Sequence, residues 1–208
     1  GLAISEKEKD DAAELDITGK LSAGSLVMTN ADIYLANEKA QSIALTQAKD
    51  ASKNEVTNML SNSRINANGS MTVAGNLHVL GGSTIHLWDA SSKPMAMGLT
   101  VKGNLLLDGG GITLSGALSA KNLKVEGNST ITMNSSKVQT IKVGNAFTVK
   151  QNFTLTLNLD SVSDIKVGKT YNLITYKSRE FNGNDLYEML GLVDSKDYCT
   201  LEDTGKAI

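Results

Sequence analysis

The stretch SSKVQTIKV, residues 135–143, has two related versions elsewhere in the chain. NEKAQSIAL at residues 37–45 carries Lys, Gln, a small hydroxyl residue, Ile and an aliphatic residue in the same order, and SSKPMAMGL at residues 91–99 is a third version. These plain residue types carry no evident catalytic chemistry. Their recurrence therefore indicates a structural repeat.

The similarity extends to three longer segments that begin at Gly19, Gly69 and Gly116. Within each segment the apolar residues fall two apart, which is the period of a strand with one buried face. The residues between them are mostly Ser, Thr, Lys, Asn or Gly, which suit a solvent-facing side. The matched apolar positions are Leu21, Met71 and Leu118; Ala23, Val73 and Ala120; Leu26, Leu77 and Leu123; Met28, Val79 and Val125; Ile33, Ile85 and Ile131; Leu35, Leu87 and Met133; Ile43, Met97 and Ile141; Leu45, Leu99 and Val143.

One copy presents too little apolar surface to fold alone, whereas stacked copies bury a continuous ladder of like side chains. Each copy of about 50 residues is long enough for two coils of roughly 20–25 residues. The sequence thus predicts an all-β chain, a single-domain parallel β-solenoid over residues 16–176. Residues 1–15 are expected to form a charged, helix-compatible lead or cap, and residues 177–208 an extension with a short helix.

Three local features depart from the repeat. Residues 46–64 could form a short amphipathic helix with Asp50 as its N-cap, or an irregular excursion. Residues 155–176, LTLNLDSVSDIKVGKTYNLITY, resemble a hairpin that turns at VGK. NDLYEML is expected to be helical, with Asp185 and Glu188 as a capping box and Gly191 as its end.

Composition excludes several classes of partner. The 20 basic and 22 acidic residues give a net charge of −2, so neither nucleic acid nor an anionic membrane is an expected partner. No apolar run approaches the ~18 residues of a membrane span, so direct membrane insertion by this segment is not expected. Cys199 is the only cysteine, which excludes an internal disulfide. The chain, which begins at Gly1 without a leader pattern, reads as a piece of a longer protein.

Catalytic, metal and cofactor sites are not expected either. The acidic residues are expected at turn positions that the repeat does not match, so none is predicted to form an acid–base pair. The only histidines lie in one repeat, and no nucleophile motif accompanies them. We therefore expect no enzyme activity and no cofactor. The residues considered are Asp32, Asp89, Asp108, Glu126, His78 and His86.

One outward-facing group is a candidate binding site. Alternation from the buried isoleucines places Tyr34, His86 and Thr132 outward on one face, with Trp88 on the same side as His86. Exposed aromatic rings stack on sugars or anchor protein partners. Alternatively, Trp88 folds over the corner at WDASSKP and covers the edge of the core.

A basic residue extends this candidate site. Lys93, with Lys39 and Lys137, is expected to line one corner, either as a contact for acidic glycans or as a solvated edge. The candidate ligand or partner contacts are Tyr34, His86, Trp88 and Lys93.

The segment GNLHVLGGSTIHL at residues 75–87, its relatives in the other copies and the later TLTLNLDSVSDIKVGKTYNLITY resemble autotransporter-type bacterial surface passengers with autotransporter-associated β-strand repeats. The resemblance covers roughly residues 69–176. It implies a right-handed parallel β-helix at the bacterial cell surface, associated with the outer membrane or secreted. That family hosts adhesins, proteases and esterases, so it implies no single activity.

Three functions follow as hypotheses. The first is a non-catalytic stalk or scaffold, for which open strand edges would allow end-to-end self-association. The second is an adhesin module that binds a glycan or a host or cell-surface protein near Trp88. The third is a fragment of a carbohydrate-active enzyme.

Overall fold

The computed structural model describes residues 2–5, 13–35, 41–89, 96–181, 186–193 and 200–208, and within them the chain is a parallel β-solenoid. The predicted fold class is confirmed. In chain order the elements are β1 (Leu2–Ser5), β2 (Ala13–Asp16), β3 (Leu21–Ala23), β4 (Leu26–Thr29), β5 (Ala31–Leu35), β6 (Gln41–Leu45), β7 (Asn58–Ser61), β8 (Arg64–Val73), β9 (Leu77–Leu80), β10 (Thr84–Trp88), β11 (Leu99–Asp108), β12 (Gly111–Leu114), β13 (Leu118–Val125), β14 (Ser129–Met133), β15 (Ile141–Val143), β16 (Ala146–Val149), β17 (Leu155–Asn158), β18 (Ile174–Thr175), β19 (Ser178–Phe181), α1 (Leu186–Met189) and β20 (Leu190–Val193).

The coils stack to give three faces, because each strand pairs in parallel with strands of the neighbouring coils. Face 1 contains β1, β4, β7, β9, the ends of β11 and β13, β16 and β19. Face 2 contains β2, β5, the start of β8, β10, β12, β14, β17 and β20. Face 3 contains β3, β6, the end of β8, the starts of β11 and β13, β15 and β18.

The core consists of side-chain columns that run through the coils. Ile33, Ile85 and Ile131 share one column, as the repeat predicts, and each is almost fully buried. Ile65 lies between the first two and Ile112 between the last two, so each copy spans two coils. The full column on face 2 is Leu15, Ile33, Ile65, Ile85, Ile112, Ile131, Leu157 and Leu192.

The predicted alignment is wrong at the end of the second copy. Ile43 pairs with Met71, which pairs with Leu99, so Leu99 and not Met97 continues that column. Val101, rather than Leu99, then pairs with Val73. The error is two residues, and a shift of two keeps each side chain on the same side of the strand. The apolar pattern alone therefore could not detect it.

Polar residues hold the corners together. At the corner between faces 3 and 1, Asn58 accepts from Leu26 N–H at 2.9 Å and donates to the Asn76 carbonyl at 2.9 Å. Asn76 and Asn104 continue this asparagine ladder, since Asn76 Oδ1 accepts from Asn104 N–H at 2.8 Å. Asn122 in turn donates to Asn104 Oδ1 at 2.7 Å. Each amide therefore satisfies backbone or side-chain groups of a neighbouring coil.

The corner between faces 1 and 2 needs a left-handed backbone residue in successive coils. Asn30 and Asn62 have φ of 48° and 47°, and Gly82 and Gly109 have φ of 71° and 78°. Asn and Gly adopt this region most readily. The Asn and Gly residues at the turns are thus explained by the backbone they must adopt.

Both ends of the solenoid extend beyond residues 16–176. In the described part of the lead, β1 and β2 are strands paired in parallel with β4 and β5, not a helix. At the other end β19 and β20 pair with β16 and β17. The alternation in LAIS and AELD is short, and the charged residues between them suggested a helix.

Of two further local predictions, one is wrong and one is confirmed in its second alternative. Residues 155–176 do not form a hairpin, because β17 and β18 lie on different faces and each pairs in parallel with an earlier strand. Residues 46–64 contain no helix, and the alternative prediction is confirmed because residues 46–57 form an irregular excursion. Asp50 caps a turn by accepting from Ser52 N–H and Asn54 N–H at 2.8 and 2.9 Å, and β7 then resumes the ladder.

The predicted helix near the C-terminal end is present as α1. It is a single turn, and Gly191 lies in β20 instead of ending the helix. Asp185, its predicted N-cap, lies outside the described residues.

Candidate binding face around Trp88

The outward column of face 2 brings two predicted site residues together. Tyr34 is in register with Asn66, and Asn66 with His86, so Tyr34 and His86 lie two coils apart in one column. Thr113 and Thr132 follow in the same column, as expected for Thr132. Strand alternation places all of them outward because Ile33, Ile85 and Ile131 point inward.

Trp88 packs across this column. Its indole Nε1–H donates to Asn66 Oδ1 at 2.8 Å, and its ring lies 6.5 Å from the His86 ring between centroids, tilted by 36°. Trp88 is half-buried and is the last residue of β10, in register with buried Asn68. The indole is thus fixed by contacts on face 2 while part of it remains in contact with solvent.

His86 is half-buried although it points outward. Burial lowers the pKa of His86, so its imidazole is neutral near pH 7. Its Nε2 is shielded from solvent and has no hydrogen-bond partner among the described residues. The exposed part of this neighbourhood therefore carries no positive charge from His86.

Tyr34 is oriented by a carboxylate on its own strand. Its hydroxyl donates to Asp32 Oδ2 at 3.3 Å, and Asp32 Oδ1 accepts from Arg64 N–H at 3.1 Å. The negative charge of Asp32 is the main cause that raises the pKa of Tyr34. The phenol is accordingly neutral at physiological pH, and its ring and the Asp32 carboxylate lie side by side on face 2.

The basic corner is only partly described. Lys93 and Lys39 lie outside the described residues, so neither can be placed relative to Trp88. Lys137 lies in a bend after β14, where its N–H donates to Ser135 Oγ at 3.3 Å. The predicted line of lysines stays a prediction.

One acidic residue differs in position from the prediction, which placed all of them at turns that the repeat does not match. Asp32 lies within β5. Asp108 ends β11, and Glu126 directly follows Val125, the partner of Leu107, so these two carboxylates are on neighbouring coils. Lys124 forms an ion pair with Glu126 at 2.5 Å, and its hydrogen bond is the main cause that lowers the pKa of Glu126.

Among the residues that the structure describes, no three His, Cys, Asp or Glu side chains are grouped closely enough to hold a metal ion. Within the same ranges no helix is long and apolar enough to cross a membrane.

A cavity of about 360 Å³ lies at the C-terminal end of the solenoid. The cavity lies between residues 200–208 and residues 159–173, the irregular excursion that connects β17 to β18. Its apolar lining comes from Val138, Leu159, Leu173, Leu192, Leu201 and Ile208. The cavity is far in sequence from the Trp88 face, and its lining belongs to the end of the core.

Sequence reasoning missed Asn66 and Asp32 as members of the face around Trp88. Asn66 lies on the intermediate coil of the first copy, and its neighbours become evident only when β8 is recognised as the rung between β5 and β10. The signal was present in the alternation of RINAN, where Ile65 and Ala67 are buried and Asn66 is not.

Comparisons with known proteins do not assign the chain to a family. No family model, no curated protein and no solved structure matches the chain. The class that the fold defines is therefore the parallel β-solenoid, with a polar and aromatic patch on face 2.

Proposed function

We propose that this chain is a non-catalytic structural and adhesive segment, a β-helical stalk or scaffold of a bacterial cell-surface or secreted protein. The observation that carries the proposal is the unbroken column from Leu15 to Leu192, in which every coil between the two ends is stabilised by the coils on either side. Eight rungs at about 4.8 Å span on the order of 35 Å. Such a rod is suited to hold other parts of a protein at a fixed separation.

The surface supports the same proposal. Along the outer side of face 3, Thr72, Thr100 and Ser119 follow one another in register, and Ser119 Oγ donates to Thr100 Oγ1 at 3.3 Å. Short hydroxyl side chains keep this face flat and hydrated. The bacterial surface location is supported by the resemblance to autotransporter-type passengers through GNLHVLGGSTIHL.

The location can be tested directly. Antibodies raised against the purified chain should label intact cells, or the culture medium, of the organism that encodes it. Labelling that needs cell lysis would contradict a surface or secreted stalk. A cytoplasmic marker protein measured in the same samples controls for leakage.

A second function, glycan binding, is favoured by the arrangement of Tyr34, Asn66 and Trp88. Aromatic rings stack on the apolar faces of sugars, and the neighbouring amide and carboxylate can hydrogen-bond hydroxyl groups. Asn66 holds the indole, so little side-chain entropy would be lost on binding. A cell-surface protein with exposed polar loops is the alternative ligand.

A glycan array followed by calorimetry tests this second function. Trp88→Ala should weaken binding at least roughly tenfold, or ~1.4 kcal/mol, since central aromatic contacts dominate such sites. Thr132→Ala lies in the same outward column, two coils further along, and should leave binding unchanged. Equal binding by the folded Trp88→Ala variant would exclude this face.

A further inference from the structure

One core column begins with an apolar residue and ends with a charged residue. On face 1 it starts with Leu2 and continues to Phe147 through side chains that are aliphatic except for Asn58, and its last rung is Arg179. An arginine at an inward position would be costly in the middle of the core but is tolerated at its end. The complete column is Leu2, Leu26, Asn58, Leu77, Leu105, Leu123, Phe147 and Arg179.

Arg179 is fixed there by a carboxylate from residues 200–208. Arg179 Nε lies 2.5 Å from Asp203 Oδ2, and the Asp203 side chain is only 10 % exposed. The Tyr176 hydroxyl donates to the other oxygen of Asp203, which also accepts from Gly205 N–H at 2.7 Å. The guanidinium lies 5.1 Å from the centre of the Phe181 ring. Asp203 thus connects residues 200–208, here called the strap, to β19.

The strap also occupies the outer edge of β18, the last rung of face 3. Ala207 forms an antiparallel bridge with Thr175. Ile174 and Ile208 exchange backbone hydrogen bonds at 2.9 Å each way, and Tyr176 N–H donates to the Lys206 carbonyl at 3.0 Å. Ile208 and Leu201 are buried. The backbone groups that a further parallel rung would need are therefore already bonded.

At the N-terminal end of the solenoid, the described residues include neither a charged residue in the inward column nor a segment like the strap. β1, β2 and β3 are the first rungs of the three faces, and each pairs on one side only with a described strand. Their inward residues Leu2, Ile4 and Leu15 pack on the core but are only half-buried. Among the described residues, the first rungs thus present apolar side chains and strand edges without a second partner, which is the arrangement that accepts another coil.

We propose that the strap and Arg179 block a head-to-tail interface between two copies of this chain. The first coil of a second copy presents the same three faces in the same strand direction, and its Leu2 would continue the column that ends at Arg179. Such contacts are heterologous and would extend into filaments. Antiparallel pairing by the strap and a charged last rung both oppose this addition.

The full chain with Arg179→Leu and Asp203→Ala tests the proposal by sedimentation velocity over a hundredfold range of concentration. Wild type should remain a single species, whereas the double variant should form multimers whose size grows with concentration. Adding Leu2→Arg should return the double variant to a single species, because a guanidinium then lies at the other end of the same column. The matched control, Lys102→Leu with Asp108→Ala, exposes a leucine and removes a carboxylate on β11, in the middle of the solenoid, and should stay a single species.

Two results would overturn the proposal. One is a folded double variant that stays a single species at every concentration. The other is multimers that persist after Leu2→Arg, which would mean that another surface associates. If the double variant loses its β circular dichroism signal, hydrogen exchange of the Asp203→Asn variant is measured instead. Exchange at Ile174 and Tyr176 that is at least tenfold faster than in wild type supports the role of Asp203 in holding the strap. Unchanged exchange contradicts it.

Discussion

The side chain of Asn58 joins two coils by accepting a hydrogen bond from the Leu26 N–H at 2.9 Å inside the core. Asn58 is 1 % exposed and occupies a position where the neighbouring rungs of the same column, Leu26 and Leu77, have leucine. Its other amide group donates to the Asn76 carbonyl. A polar residue in this apolar column is stable because both of its functional groups are bonded.

Replacing Asn58 by leucine tests this relationship. The shape suits the column, but the buried Leu26 N–H loses its acceptor, which costs about 1–3 kcal/mol of the free energy of unfolding. Urea denaturation followed by circular dichroism measures the change. Asn104→Leu is the matched control on the ladder, because Asn104 is exposed, and it should cost less than half as much. An Asn58→Leu variant as stable as wild type would show that the hydrogen bond contributes nothing.

The aliphatic column of face 2 predicts a second effect. Ile112 is 1 % exposed and lies between Ile85 and Ile131, so Ile112→Ala should lower the free energy of unfolding by about 2–5 kcal/mol. Thr113→Ala on the adjacent outward position should change it by no more than about 0.5 kcal/mol. Chemical denaturation of both variants gives the comparison. Similar losses for the two would contradict an inward column at Ile112.

How much of this structure the sequence could predict depends on the side-chain period. Alternation at Ile33, Ile85 and Ile131 specifies which side is buried, and repetition specifies that the copies stack, so the solenoid was predictable. Alternation is unchanged by a shift of two, which is why Leu99 and Met97 were confused. The intermediate rungs with Ile65 and Ile112 could be counted but not aligned.

The candidate site was less predictable because it depends on contacts between coils. Outward positions for Tyr34 and His86 follow from alternation alone. The hydrogen bond from Trp88 to Asn66 requires the register of β8 against β10, which no short motif encodes. The ion pair between Arg179 and Asp203 was even less predictable, because Asp203 lies in a segment that has no repeat pattern.

Acid should weaken the fold through its two histidines. Burial lowers the pKa of both His78 and His86, so the unfolded chain binds protons more readily than the folded one. Their contribution is complete above the unfolded pKa of about 6.5 and is lost as the pH falls through the folded pKa values. Thermal unfolding from pH 7.5 to 5 should show a falling midpoint.

The double variant His78→Leu, His86→Thr identifies the cause of that fall. The new residues match the neighbouring outward positions Leu106 and Thr113, so the fold should be retained. Its midpoint should change less than that of wild type between pH 6.5 and 5. An unchanged slope would show that the two histidines do not cause the fall. Glu126, whose pKa is lowered, contributes only below about pH 4.5 and so outside this range.

Alkaline pH should release the strap through Tyr176. Burial is the main cause that raises the pKa of Tyr176, and the neighbouring Asp203 carboxylate raises it further. The folded state therefore holds this proton more tightly than the unfolded state. The resulting stability is present below the unfolded pKa of about 10 and is lost as the pH rises above it.

Hydrogen exchange cannot resolve this effect at high pH, so limited proteolysis of the strap at pH 9 and pH 11 is the suitable measurement. Wild type should be cleaved within residues 200–208 markedly faster at pH 11, whereas Tyr176→Phe should show a smaller change because it has no proton to lose. Tyr171→Phe serves as the matched control, because the Tyr171 hydroxyl contacts Asp164 and Lys166 and not the strap. This variant should behave like wild type. Equal acceleration in wild type and Tyr176→Phe would show that ionisation of Tyr176 does not open the strap.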